Sequence, residues 1–105
     1  MSNEENQEDS GIAVKDQQKV EIPKMYQVIL HNDDYTTMEF VIHVLKKFFK
    51  MNDADAYDVM LKVHHDGRGR CGIFTKEIAQ MKVTSVNNYA KKNGHPLKSS
   101  FESCD

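Results

Sequence analysis

Ten residues, His31 to Phe40 (HNDDYTTMEF), carry an unusual density of hydrogen-bond acceptors. Asn32, Asp33 and Asp34 follow the apolar run MYQVIL and precede an amphipathic segment, so they stand between a strand and a helix. A plain turn needs one or two polar residues, commonly with a glycine. A second feature lies downstream. His64 is seven residues after Tyr57 and four after Met60. At helical spacing it projects from the apolar stripe, whereas its neighbour His65 points to solvent. A histidine in that position is most often a satisfied core or rim residue, and acceptors in a turn often do no more than close it. Taken together, however, the two features describe a pocket. Asn32 and Asp33 would form one edge and His64 another, with Met38, Val41, Met60 and Val63 as walls.

An apolar pocket rimmed by acceptors suits a ligand that carries an ammonium group beside a hydrophobic side chain. A free protein amino terminus with a large apolar first residue has that form. Burial of one Leu- or Phe-sized side chain contributes about 1.5–3 kcal/mol. Each hydrogen bond from an ammonium to a well-placed acceptor contributes about 1.5–3 kcal/mol. Micromolar affinity, about 8 kcal/mol, is within reach of one side chain and two or three such bonds after ordering costs.

Other chemistries fit less well. His64, His65, Cys71, His95 and Cys104 lack the close Cys-x-x-Cys or His-x-x-x-His spacing of a strong metal site, so no metal or cofactor is expected. Hydrolysis by Asp33, Asp34 and His64 would need a nucleophile elbow or oxyanion donors, and the sequence has no such motif. The net charge of −2 and pI near 6.2 speak against nucleic-acid binding. No apolar run reaches the roughly 18 residues of a membrane span, and the acidic first residues do not resemble a signal or transit peptide. The two cysteines, Cys71 and Cys104, read as reduced thiols of a cytoplasmic protein.

The elements that must position these residues are legible from periodicity. Residues 1–24 are polar and acidic without a sustained period, which predicts a flexible tail ahead of a single domain over 25–105. MYQVIL predicts a strand. Thr36 and Glu39 read as a capping box, with a helix starting near Thr37 and an apolar stripe of Met38, Val41, Ile42, Leu45, Phe48 and Phe49. Asn52 or Asp53 caps a second helix whose stripe is Tyr57, Met60 and Leu61, flanked by Val59 and Val63. DGRGR turns into a short strand, CGIFT; Thr75 caps a third helix in which Ile78, Ala79, Val83, Val86, Tyr89 and Ala90 share a face; and HPLKSSF makes an edge strand. The expected fold is an α/β (α+β) sandwich of order βααβαβ, with a three-stranded antiparallel sheet covered on one face by three helices.

The segments MYQVILHNDDYTTMEFVIHVLKKFF, VMLKVHHDGRGRCGIFTKEIAQMKV and HPL resemble the ClpS family over roughly residues 23–101. The run NDDYTxMEFV, followed in order by HxxG and CGIFT, is specific to that likeness. The resemblance implies a monomeric adaptor without enzymatic activity. It would bind N-degron substrates by an amino-terminal Leu, Phe, Tyr or Trp and deliver them to the ClpA unfoldase, which feeds the peptidase ClpP. It further implies that Asn32, Asp33 and His64 hold the α-amino group and first peptide unit, and that Asp34, Thr36, Met38, Val41, Met60, Val63 and Leu97 lie in or around the side-chain pocket. Met38 would be the gate that rejects β-branched Val and Ile. Glu77 and Lys82 would dock on the ClpA amino-terminal domain, and the tail would be engaged by the ClpA motor. Thr37 replaces a proline common in the family, and His65 replaces a common aromatic. The ribosomal stalk protein's carboxyl-terminal domain shares the architecture, so a generic interaction module is the alternative. The acceptor cluster with His64 argues against it.

Overall fold

Strand β1 (Met25–His31) is the centre of the molecule. Its side chains alternate across the sheet, with Val28 and Leu30 fully buried in the core that the helices cover, while Ile29 belongs to the other face. β1 pairs antiparallel with β2 (Arg68–Thr75) on one side and β3 (Lys98–Ser103) on the other, giving the order β2-β1-β3. The computed structural model describes residues 21–105; the tail expected over 1–24 lies almost wholly outside them, and residues 21–24 are exposed and in no regular element. Helices α1 (Met38–Phe49), α2 (Asp53–Asp66) and α3 (Lys76–Lys92) complete the chain order βααβαβ. The architecture is the one the periodicity predicts.

The helices meet the sheet through Val41, Val44 and Leu45 of α1, Ala56, Met60 and Val63 of α2, and Ala79, Val86 and Ala90 of α3. On α2 this differs from the expected stripe. Tyr57 is half exposed, and the small Ala56 is buried instead. The cause is a close approach between α2 and β2: a Cβ added to Gly69 would lie 2.8 Å from Val63 Cγ2 and 3.3 Å from the Val59 carbonyl oxygen. Glycine at 69 lets the helix come down on its Ala56–Met60–Val63 face, a rotation that turns Tyr57 outward. On α3, Ile78 is likewise exposed rather than part of the buried face.

Element boundaries also differ from expectation. β2 begins at Arg68, so the turn after α2 is essentially Gly67, whose φ of +86° is left-handed and whose N–H donates to the Val63 carbonyl at 3.0 Å. A bulge falls where Val28 pairs with Gly72 and Ile29 with Arg70, leaving Cys71 without a cross-strand partner and buried in the core. His95, Pro96 and Leu97 precede β3, so Pro96 stands outside the ladder. Thr75 occupies the cap position of α3, but its side chain makes no capping hydrogen bond.

Two side-chain arrangements brace the sheet. Arg68 of β2 and Glu102 of β3 pair at 2.6 Å across the central strand on the face of Ile29, which is only 3% exposed. Asn87 of α3 behaves as an added strand residue: its Oδ1 accepts from the Ser99 N–H at 2.7 Å, and its Nδ2 donates to the Ser99 carbonyl at 3.2 Å. That pairing fixes α3 to the start of β3.

Candidate functional site

The loop between β1 and α1 is built by its own polar side chains. Asp33 Oδ1 accepts from the N–H groups of Thr36 and Tyr35 at 2.7 and 2.8 Å, and Oδ2 accepts from the Thr36 hydroxyl at 2.7 Å. The turn is thus closed by one carboxylate. Burial by itself raises the Asp33 pKa, but the hydroxyl and N–H bonds from Thr36, the N–H of Tyr35 and the charge of His95 together hold it below its ordinary value of 3.8. Because Thr36 is committed to Asp33, it does not cap α1. Thr37 does, its hydroxyl accepting from the Phe40 N–H at 3.1 Å, and the helix begins at Met38. The cap therefore falls one residue later than expected, and with Phe40 at the third helical position the expected Thr36–Glu39 capping box does not form.

The start of the loop is tied to α2. The backbone N–H of Asn32 donates to the Gly67 carbonyl at 2.9 Å, which joins the end of β1 to the turn that leaves α2. α1 and α2 then close the remaining sides of a cavity of about 240 Å³. Asn32, Asp33, Asp34 and Thr36 line it from the loop, Met38 and Val41 from α1, and Met60, Val63 and His64 from α2. Its floor is apolar and buried, with Val41, Met60 and Val63 no more than 7% exposed. Met38 is 46% exposed and stands at the mouth. His64 is exposed and meets the His65 ring edge-on at 5.4 Å.

Every expected cavity residue except Leu97 is brought together here. Leu97 is 2% exposed, packed in the core, and contributes to a separate depression shared with Asn87, Lys91 and His95. The pairing of Lys98 with His31 sets Leu97 level with Asn32 at the start of the loop, where its side chain is buried in the core rather than exposed in the cavity.

Glu77 and Lys82 lie on α3, apart from the cavity lining. Glu77 is exposed in the first turn. Lys82 is half-buried, and its side chain is already engaged: Nζ donates to the Phe48 carbonyl at 2.7 Å, in the last turn of α1, and lies 5.7 and 5.8 Å from the centres of the Phe49 and Phe74 rings. Beside it is a shallow apolar depression lined by Phe48, Ile78, Met81, Lys82 and Ser85. Ile78 and Met81 are 42% and 61% exposed. Helical periodicity assigns Ile78 to the core, so this patch is hidden from sequence alone.

Cys71 is buried and Cys104 exposed, and neither is in a disulfide. No helix among the described residues is long and apolar enough to cross a membrane.

With this geometry in hand, the chain can be set beside known proteins. The family described as "ATP-dependent Clp protease adaptor protein ClpS" matches residues 21–100. A protein of Bradyrhizobium diazoefficiens named ATP-dependent Clp protease adapter protein ClpS 2 is 47% identical, over 97% of this chain and 98% of its own length. A ClpS of Hydrogenovibrio crunogenus is 46% identical over the same shares of the two chains. The solved structure of Agrobacterium tumefaciens ClpS2 bound to L-phenylalaninamide superposes with a TM-score of 0.76 at 36% identity, covering 78% of this chain and 99% of that one. The chain described here therefore belongs to the ClpS family of adaptors of the ATP-dependent Clp protease.

Proposed function

We propose that the cavity between the β1–α1 loop and α2 receives the first residue of protein substrates bearing an amino-terminal Leu, Phe, Tyr or Trp. The observation that carries this reading is the juxtaposition, in about 240 Å³, of a polar rim and a buried apolar floor. That volume is below the roughly 300–1,000 Å³ of sites for drug-sized ligands, which suits one side chain and its amino group. Phenylalaninamide, the ligand of the Agrobacterium relative, is such a group: an aromatic side chain beside a free α-amine.

The rim divides its work. An ionised carboxylate offers about four lone-pair sites. Both sites of Asp33 Oδ1 are taken by N–H groups and one of Oδ2 by Thr36, so Asp33 is chiefly the staple of the loop, with one acceptor site to spare. Asp34 is exposed and lines the same cavity, which leaves it the freer negative charge for an ammonium. Asn32 supplies an amide oxygen and His64 a ring nitrogen. The side chain descends onto Val41, Met60 and Val63, and Met38 at the mouth excludes residues branched at Cβ. Asp34 is thus a rim residue in this reading rather than a wall of the side-chain pocket.

Delivery follows from a second surface. The substrate-loaded adaptor docks on the amino-terminal domain of ClpA through Glu77 and the neighbouring α3 surface, and ClpA passes the substrate to ClpP. Lys82 contributes there mainly by holding the end of α1. The protein acts as a cytoplasmic monomer with no catalytic activity of its own. Fluorescence anisotropy with peptides differing only at the first residue tests the reading: Leu-peptides bind tightly and Val- or N-acetyl-Leu-peptides weakly. Equal affinity for all three would refute it.

A further inference from the structure

Away from the cavity, the most closely stacked rings lie where α1 meets the segment leaving α3. Phe40, in the first turn of α1, stacks with His95 at 3.9 Å between ring centres and 18° between planes, and with Tyr89 of α3 at 5.8 Å and 12°. His95 is not a loose partner. Its N–H donates to the Ala90 carbonyl at 2.8 Å; Gly94 before it turns the chain at a φ of +80°, and Leu97 after it is buried in the core. The backbone that carries the imidazole is therefore anchored on both sides, and Phe40 rests on the ring.

Phe40 in turn sits among residues that shape the cavity. Its N–H is the one capped by Thr37, and its neighbours along the first turn, Met38 and Val41, line the mouth and the floor. A helix is stiff along its axis, and its first turn is the part that frays. Met38 is half exposed at the very start of this turn. The charge of His95 also contributes to lowering the Asp33 pKa, so the same ring acts on the loop that precedes α1.

We infer that His95 is a positioning residue for substrate selection: its ring, stacked on Phe40, fixes the first turn of α1 and so sets where Met38 stands at the mouth of the cavity. This rests on the function proposed above. His95 touches no substrate in this arrangement; it acts through Phe40.

The test compares wild type, His95→Ala, His95→Phe and Phe40→Leu, each binding a Phe-initiated and a Val-initiated peptide of otherwise identical sequence. The readout is the ratio of the two affinities, which a general loss of stability does not move. Loss of the stack in His95→Ala and in Phe40→Leu lowers the ratio roughly three- to tenfold, while His95→Phe, which keeps a ring on Phe40, stays within about twofold of wild type. A wild-type ratio in His95→Ala overturns the inference, as does a His95→Phe variant impaired to the same extent. If circular dichroism finds His95→Ala unfolded, Phe40→Leu removes the same stack from the other side and decides the matter in the same way. Wild-type protein that fails to prefer a free over an acetylated amino terminus would instead refute the functional reading itself.

Discussion

The Thr36 hydroxyl donates to Asp33 Oδ2 at 2.7 Å while the Thr36 N–H donates to Oδ1 at 2.7 Å, so one residue grips both oxygens of one carboxylate. This pairing converts three consecutive acceptors into a loop with a defined shape. It also assigns different tasks to two adjacent aspartates.

Replacing Thr36 with Val removes the hydroxyl bond and keeps the backbone one. A cost of about 1 kcal/mol in urea unfolding near neutral pH is expected. The pH dependence has a definite sign. The Asp33 pKa is lower in the fold than its ordinary 3.8, so its contribution to stability is complete above that value and is lost as pH falls through the lower, folded one. Thr36→Val shrinks that acid-side loss, which urea titrations on either side of pH 3.8 will measure.

Asp33→Asn and Asp34→Asn separate the two tasks. Asp34→Asn should weaken binding of a Phe-initiated peptide about tenfold and leave the unfolding midpoint unchanged. Asp33→Asn should lower both affinity and stability, because its two N–H donors and the Thr36 hydroxyl face an amide in place of a charge. Calorimetric titration and thermal melts of the same two preparations are sufficient.

Gly69→Ala probes the helix–sheet contact beneath the cavity. The new Cβ would meet Val63 Cγ2 at 2.8 Å and crowd the Val59 carbonyl at 3.3 Å. Overpacking of this kind costs about 1–3 kcal/mol. Since Met60, Val63 and His64 share α2, peptide affinity should fall in the same variant.

Lys82→Met retains the apolar stem but leaves the Phe48 carbonyl without its donor. Stability should drop by about 1 kcal/mol, read from thermal unfolding. Met81→Ser, at a side chain that is 61% exposed, should leave the melt unchanged and weaken ClpA capture in a pull-down.

Burial pushes the Cys71 thiol up to about 12, against a smaller lowering by a backbone hydrogen bond from Leu30. The neutral thiol is the form the fold favours, so stability declines as pH rises from 9.0, its ordinary value, towards about 12. Iodoacetamide on the native protein should add one label, at exposed Cys104, and a second only after denaturation.

Much of the site was legible in the sequence because it lies on two regular periods joined by a polar loop. Met38 and Val41, three apart, and Met60, Val63 and His64, three and one apart, fall on facing sides of α1 and α2 and meet in one cavity. Other parts depend on tertiary choices that local patterns do not encode. Two consecutive threonines could each cap α1, and only the competing bond from Thr36 to Asp33 decides for Thr37. Tyr57 suits a buried stripe by type and spacing, yet a close approach at Gly69 turns Ala56 inward in its place. Leu97 comes level with Asn32 in the sheet register, yet its side chain is taken into the core instead of lining the cavity. His95 is the plainest case. Nothing in its sequence context relates it to Phe40, 55 positions earlier, and only the packing of α1 against α3 brings the two rings to 3.9 Å.

The most direct test of the account is an isothermal titration of the protein with L-phenylalaninamide and with its N-acetyl form. The two ligands share the aromatic side chain and differ in the ammonium that the rim of Asn32, Asp34 and His64 is proposed to hold. Saturable one-to-one binding of the free amine is expected, with at least about a hundredfold weaker binding of the acetylated ligand, the loss of about two charge-assisted hydrogen bonds. Comparable affinity for both would contradict it.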